Sequence, residues 1–363
     1  MRRTPFRRLV LGPAPAPDRI AYYNLWFRGH NNRRSEELLP RLRRVDPYLY
    51  LCADRQPLRG VMYRAWRASR PRSDDLVLGA IGKRYRQLFS TDFEQVEHFS
   101  GDVVVDIDDP FFTERECELL SRPNVRACVV TGDQAAALFR EAGVTTPIEI
   151  IPQGADLATV TPERIEAVGA ANRRQDTLVL GYVSSWLLTS GDRGGHRAVL
   201  NVDHLLELWD EIHADVPETE LWLIGGASPA VQALCAQRPA IRLFARIPPS
   251  EVLSYVANFD VALYPRTGDG RRGNRAIKIA EYVASGVPTV AYDQHATSLV
   301  RETGAGTLVA APEEFVAATT ALLRDPAARR EMGERGRAAG ASFTWDVLAR
   351  RYEELLDRYL PAG

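Results

Sequence analysis

The sequence predicts an α/β protein of two Rossmann-like domains facing across a cleft, and three observations predict it. Short continuous apolar runs recur along the whole chain. Stretches with helical spacing separate them. The pattern stops at a polar, mixed stretch near residues 152–176 and then begins again. Brief apolar runs divided by helices are the mark of parallel sheets covered on both faces. In the first half the expected strands are 8–11, 75–78, 102–107, 127–130 and 148–151, with helices over 33–44 and 133–142. In the second half strands are expected at 178–183, 220–224, 241–244, 260–264, 288–291 and 307–309, with helices over 197–214, 249–257, 275–285 and 312–324. The segment 344–360 reads as an amphipathic helix, because Trp345, Leu348, Tyr352, Leu355, Leu356 and Tyr359 follow helical spacing. The expected domains are 1–155 and 156–342, with 343–363 as the terminal helix.

Composition narrows the function classes. A chain of 363 residues with 45% hydrophobic and 26% charged residues is long enough for two ordinary globular domains. Its formal net charge of −1 gives no field that would favour nucleic acid as a partner. The four cysteines, Cys52, Cys117, Cys128 and Cys235, form no CxxC pair and have no histidine cluster beside them, so neither a disulfide framework nor structural zinc is expected. The apolar run near the N-terminus is too short for a secretion signal, and no stretch is long enough to span a bilayer. The expected location is cytoplasmic. Basic residues are almost all arginine, a bias suggestive of a high-GC bacterial gene, and only Lys83 and Lys278 are lysine. Lysine at an anion site is therefore conspicuous here.

The most informative stretch is 259–293, FDVALYPRTGDGRRGNRAIKIAEYVASGVPTVAYD. It reads strand, glycine-rich loop, helix, turn, strand. Glycines allow backbone to approach phosphate closely, and a helix N-terminus offers free N–H groups to an anion. Lys278 and Glu281 lie three apart and share a helix face. There a cation meets a diphosphate and a carboxylate accepts hydrogen bonds from ribose hydroxyls; the competing reading is an exposed ion pair of little energetic consequence.

This stretch resembles the donor-binding segment of GT-B glycosyltransferases, especially the mostly retaining family 4. Other parts agree: IEIIPQGADL at 148–157, LWLIGG at 221–226, VVTGDQAAALFREA at 129–142 and FTWD at 343–346. The resemblance covers roughly 100–360. It implies transfer of a sugar from a nucleoside-diphosphate sugar with retention at the anomeric carbon, and domain closure over the donor. No metal or cofactor is implied beyond the donor substrate. Glu281 matches the family's ribose-holding glutamate. The companion glutamate, eight residues earlier, is Gly273 here; Asp269 or Asn274 takes over contact with the donor sugar, and Gly270 of the same loop is assigned to donor binding. Trp186 stands near the position of a family arginine that grips the diphosphate, leaving Arg193 and Arg197 as the available cations. Arg246 and Ile247 match the position whose backbone reads the base. In the family the last helix crosses back onto the first domain.

In the first domain, VVVDIDDPFF resembles relatives with an acidic triplet near the donor sugar. Asp108 takes the catalytic position, with Asp106 and Asp109 beside it, and Asp109 is assigned to the acceptor. The alternative is an Asx turn leading to Pro110. Gly29, His30, Asn31 and Asn32 open the first helix and match a loop that holds donor phosphate or acceptor; an asparagine N-cap is the simpler account. The arginine-rich stretch 41–72 is read as a solvated helix face, with contact to an anionic acceptor or a membrane surface as the rival. Lys83 lies in LGAIGKRYR, whose spacing is too short for a Walker motif. The scattered histidines are read as structural. The acceptor, whether small molecule, glycan or lipid, is not specified by sequence.

Two rival functions remain. Residues 268–273 form a GxGxxG with Asp293 at the end of the next strand, as in NAD-dependent oxidoreductases, but the loop falls late in its domain. The missing first glutamate also allows a non-catalytic nucleotide-sugar-binding subunit.

Overall fold

The computed structural model describes residues 18–23, 33–46, 81–82, 84–91, 93–155, 157–158, 160–192, 202–266, 273 and 275–362. The expected strands 8–11 and 75–78 lie outside the described residues, as does Lys83. The chain forms two compact units. One contains Met1–Pro152, Arg271–Asn274 and Trp345–Gly363, the other Gln153–Gly270 and Arg275–Thr344.

The first unit carries a six-stranded parallel sheet: β1 (Ile20–Tyr23), β2 (Val45–Asp46), β3 (Gln87–Ser90), β4 (Asp102–Ile107), β5 (Val125–Val130) and β6 (Ile148–Ile150), in the order β2-β1-β3-β4-β5-β6. Its described helices include α1 (Arg33–Leu38), α2 (Glu114–Leu120) and α3 (Asp133–Glu141). Val103, Val105, Leu88, Cys128 and Phe139 are buried in its core. Burial pushes the Cys128 thiol up to about 12, where it is inert. The helix expected over 33–44 is shorter: α1 ends at Leu38 and continues only as the 3-10 turn Leu39–Arg41. Pro40 explains this, since it has no N–H to donate and its ring crowds the preceding turn.

The second unit repeats the plan. α4 (Pro162–Asn172) precedes β7 (Leu178–Leu187), α5 (Val202–Asp215), β8 (Thr219–Ala227), α6 (Pro229–Ala236), β9 (Ile241–Phe244), α7 (Pro249–Val256), β10 (Val261–Tyr264), α8 (Ile277–Ala284), β11 (Thr289–Tyr292), α9 (Ser298–Thr303), β12 (Gly306–Val309), α10 (Pro312–Arg324) and α11 (Pro326–Gly340). The parallel strands run β12-β11-β10-β7-β8-β9. Caps set several helix starts. Thr113, Thr161, Ser228 and Asp325 accept hydrogen bonds from first-turn amides of α2, α4, α6 and α11, and proline follows three of these caps.

α2, α6, α9 and α11 carried no expectation from sequence. α11 escapes periodicity analysis because its packed face is made of glycine rather than large apolar side chains. Gly333, Gly336 and Gly340 are its buried residues, and they lie against the end of α8. A Cβ at Gly336 would sit 2.6 Å from the Val283 carbonyl oxygen, and one at Gly333 would sit 2.5 Å from that of Gly286. In an isolated helix, glycine to alanine stabilises by about 1 kcal/mol. Here the sign is expected to reverse. Gly336→Ala forces α11 off α8, and overpacking of this kind costs roughly 1–3 kcal/mol, so a lower midpoint in urea is expected; a higher midpoint would contradict this packing.

The terminal helix α12 (Trp345–Tyr359) returns to the first unit, as the resemblance implied. It buries Trp345, Leu348, Ala349, Tyr352, Leu355 and Leu356. Arg41, Arg43 and Arg44 pair with its Asp346, Glu353 and Asp357, at 2.7, 2.7 and 2.6 Å. These three arginines of the basic stretch therefore engage the chain's own last helix; 47–80 lie outside the described residues.

Candidate functional site

All strands of the second sheet point the same way, so their carboxyl ends share one edge, where open α/β sheets bind ligands. β7 shapes that edge. Val183 pairs with Ile224 and Trp186 with Gly226, so Ser184 and Ser185 stand against the single residue Gly225. This is a bulge, which breaks the side-chain alternation and re-aims the residues after it. Gly225 permits it: its φ is +150°, and a Cβ there would lie 1.9 Å from the Ser184 carbonyl oxygen. The Val183 amide donates to the Tyr282 hydroxyl at 2.9 Å, which ties α8 to the bulge.

That tie places Lys278 and Glu281. The Lys278 ammonium lies 5.0 Å from the centroid of the Tyr182 ring and 5.8 Å from that of Tyr264, within cation–π range of both. Tyr182 and Tyr264 are buried members of β7 and β10. Burial pushes the Lys278 pKa below the ordinary lysine range. Tyr264 and Glu281 partly oppose this, and the neighbouring positive charge of Arg266 adds to it. Glu281 is itself buried, on the same helix. No side chain caps the start of α8, so its first-turn amides reinforce an anion-binding end.

The structure thus brings several expected residues to one edge. Lys278 and Glu281 stand on α8. Arg246, exposed, and Ile247, half-buried, follow β9 at the same edge. Arg193, Arg197, Asp269, Gly270 and Asn274 lie outside the described residues, and so do Gly29, His30, Asn31 and Asn32. Sequence reasoning missed Arg266 and the tyrosines Tyr182, Tyr264 and Tyr282. Their signal was present: each of the first two tyrosines sits in a strand run toward its carboxyl end, and Tyr282 follows Glu281 directly.

In the first unit the three aspartates separate by role. Asp108 is half-buried and Asp109 exposed, both just past the end of β4. Asp106 is buried and faces the buried Arg34 at 3.0 Å. Arg34 also donates to the carbonyl oxygens of Ile151 and Pro152 at 2.7 Å each, and to the Tyr352 hydroxyl of α12. Burial disfavours the guanidinium charge, but Asp106, Tyr352 and Asp108 outweigh it and hold the Arg34 pKa above its ordinary range. Asp106 is therefore a structural partner of Arg34. Beyond Asp108 and Asp109 the loop is fixed by the buried Glu116, whose carboxylate accepts from the Phe111 and Phe112 amides at 3.0 and 2.6 Å. Of the histidines, His204 bonds to the Tyr292 hydroxyl at 2.8 Å and His213 to that of Thr219 at 3.2 Å, as structural residues do.

Comparison with solved structures places the architecture. Anabaena HepE in complex with UDP matches with a TM-score of 0.71 at 14% identity, over 94% of this chain and 100% of that one. Sucrose-phosphate synthase from Thermosynechococcus elongatus matches with a TM-score of 0.59 at 17% identity, over 80% and 79%. WaaG, a glycosyltransferase involved in lipopolysaccharide biosynthesis, matches at 0.54 and 14% identity, over 78% and 93%. At such identities the likeness concerns the fold, which is GT-B. Two parallel six-stranded sheets with flanking helices thus define a chain of GT-B architecture. More particularly, residues 187–325 match the family model of glycosyl transferases group 1, a segment that contains Arg246, Lys278 and Glu281. No curated protein sequence matches the chain. Nothing in these likenesses favours an oxidoreductase, and the GxGxxG at 268–273 follows β10, the fourth strand of its domain, rather than the first.

Proposed function

We propose that the chain transfers a sugar from a nucleoside-diphosphate sugar to an acceptor, with retention at the anomeric carbon and release of the nucleoside diphosphate. The carrying observation is the Lys278 ammonium, within cation–π range of the Tyr182 and Tyr264 rings and on the same helix as the buried Glu281, at the carboxyl edge of the second sheet. Negative charge grows on the diphosphate as the glycosidic bond breaks. A cation fixed in a poorly solvated place stabilises that charge without reorganising. Glu281 orients the ribose, and the backbone at Arg246 and Ile247 reads the base. Asp269, Gly270 and Asn274 stand in the loop assigned to the donor sugar. Asp108 acts near the reacting carbon, with Gly29, His30, Asn31, Asn32 and Asp109 on the acceptor side. The donor is a substrate, and the reaction needs no further cofactor. HepE was solved with UDP and with UDP-glucose, so a uridine donor is the first to test.

Calorimetric titration with UDP, GDP, dTDP and NAD tests this reading. Binding of one nucleoside diphosphate, weakened in Lys278→Ala, is expected. Binding of NAD alone would overturn it.

A further inference from the structure

We propose that Arg266 and Lys278 together form the clamp for the donor's diphosphate, with Arg266 supplying the second cation from the exit of β10. The proposal rests on the donor-site reading above and specifies which residues hold its phosphates.

Three observations carry it. Arg266 lies two residues beyond Tyr264, the last residue of β10, whose ring flanks the Lys278 ammonium. Its backbone is pinned there, because the Arg266 carbonyl oxygen accepts from the Gln294 side-chain amide. The Arg266 charge acts on both Lys278 and the buried Tyr182, so the guanidinium and the ammonium share one electrostatic neighbourhood. Among the described residues, no carboxylate lies within ion-pair distance of either cation. Elsewhere the buried Arg34 is paired with Asp106, the largely buried Arg275 with Glu302 and the exposed Arg43 with Glu353. The Lys278 ammonium beside two tyrosine rings and the Arg266 charge that acts on it disfavour each other, and an anion that meets both relieves that cost. A diphosphate carries charge of the right sign. Its oxygens suit both a planar guanidinium, which binds in a fork, and a compact ammonium. The start of α8, uncapped by any side chain, adds amides of the same polarity. On this assignment the cations implied by resemblance after β7, Arg193 and Arg197, are not the principal grip.

The clamp predicts a pH signature. Lys278 binds anions only while protonated, and its pKa is depressed by burial and by Arg266. Affinity for phosphate should therefore fall as pH rises through that depressed value, below the ordinary lysine range. Removing the Arg266 charge should move the fall to higher pH.

The experiment is calorimetry of inorganic pyrophosphate and of UDP binding across pH. The proteins are the wild type, Arg266→Gln, Arg266→Lys, Lys278→Met and Arg193→Gln/Arg197→Gln, each checked for an unchanged thermal midpoint. Arg266→Gln is expected to weaken both ligands roughly tenfold or more. It should also shift the fall in pyrophosphate affinity to higher pH, and Arg266→Lys should restore part of the affinity. Wild-type affinity and an unshifted profile in Arg266→Gln, with binding lost in Arg193→Gln/Arg197→Gln, would overturn the clamp and leave the donor site standing. Absence of UDP and pyrophosphate binding in the wild type would overturn both.

Discussion

Replacing Glu281 by alanine is expected to weaken nucleoside-diphosphate binding by roughly 10- to 100-fold, with a matching loss in kcat/KM. Hydrogen bonds to a charged group contribute about 1.5–3 kcal/mol each, and every 1.4 kcal/mol is about tenfold in affinity. Glu281 is 6% exposed, so water would not replace the ribose contacts proposed for it. The control is a 2′,3′-dideoxynucleoside diphosphate. The wild type should bind it about as weakly as Glu281→Ala binds the full ribose, and the substitution should leave its affinity unchanged. Equal loss for both ligands would mean that Glu281 supports α8 and does not touch ribose.

The second large effect is expected at Arg34. Its side chain is 0% exposed and that of its partner Asp106 is 1% exposed. Arg34 also joins Ile151 and Pro152, at the end of the first sheet, to Tyr352 on α12. Removing one partner of a buried pair strands the other charge and costs about 3–5 kcal/mol. Arg34→Met should therefore lower stability by that order, measured by urea unfolding followed through near-UV signals. Arg34→Met/Asp106→Leu should recover much of the loss, because the stranded carboxylate is gone. A double variant as unstable as the sum of the single ones would show that the pair carries no mutual stabilisation.

The fold was largely legible because its signals are local. Short apolar runs such as 102–107 and 178–183 and the terminal stripe of Trp345, Leu348 and Tyr352 follow from side-chain period alone. The features that escaped depend on partners distant in sequence. Arg34 reads as a polar residue beside an asparagine pair, and only the approach of Asp106 and Tyr352, 72 and 318 residues away, makes it a buried strut. α11 was invisible because close backbone contact selects glycine, which hydropathy patterns do not register. At the site, Lys278 and Glu281 stood out through rarity and spacing. Arg266 did not, since its meaning comes from where β10 ends relative to α8 rather than from any motif.

The most direct test of the donor site is nucleotide release. The protein is incubated with UDP-, GDP- and dTDP-sugars without acceptor, and free nucleoside diphosphate is followed by chromatography for the wild type and Lys278→Met. Slow release from one donor class by the wild type is predicted, with loss of that release in Lys278→Met. Release undiminished in Lys278→Met would contradict the assignment, because the leaving diphosphate would then be stabilised somewhere other than the carboxyl edge between β7 and β10.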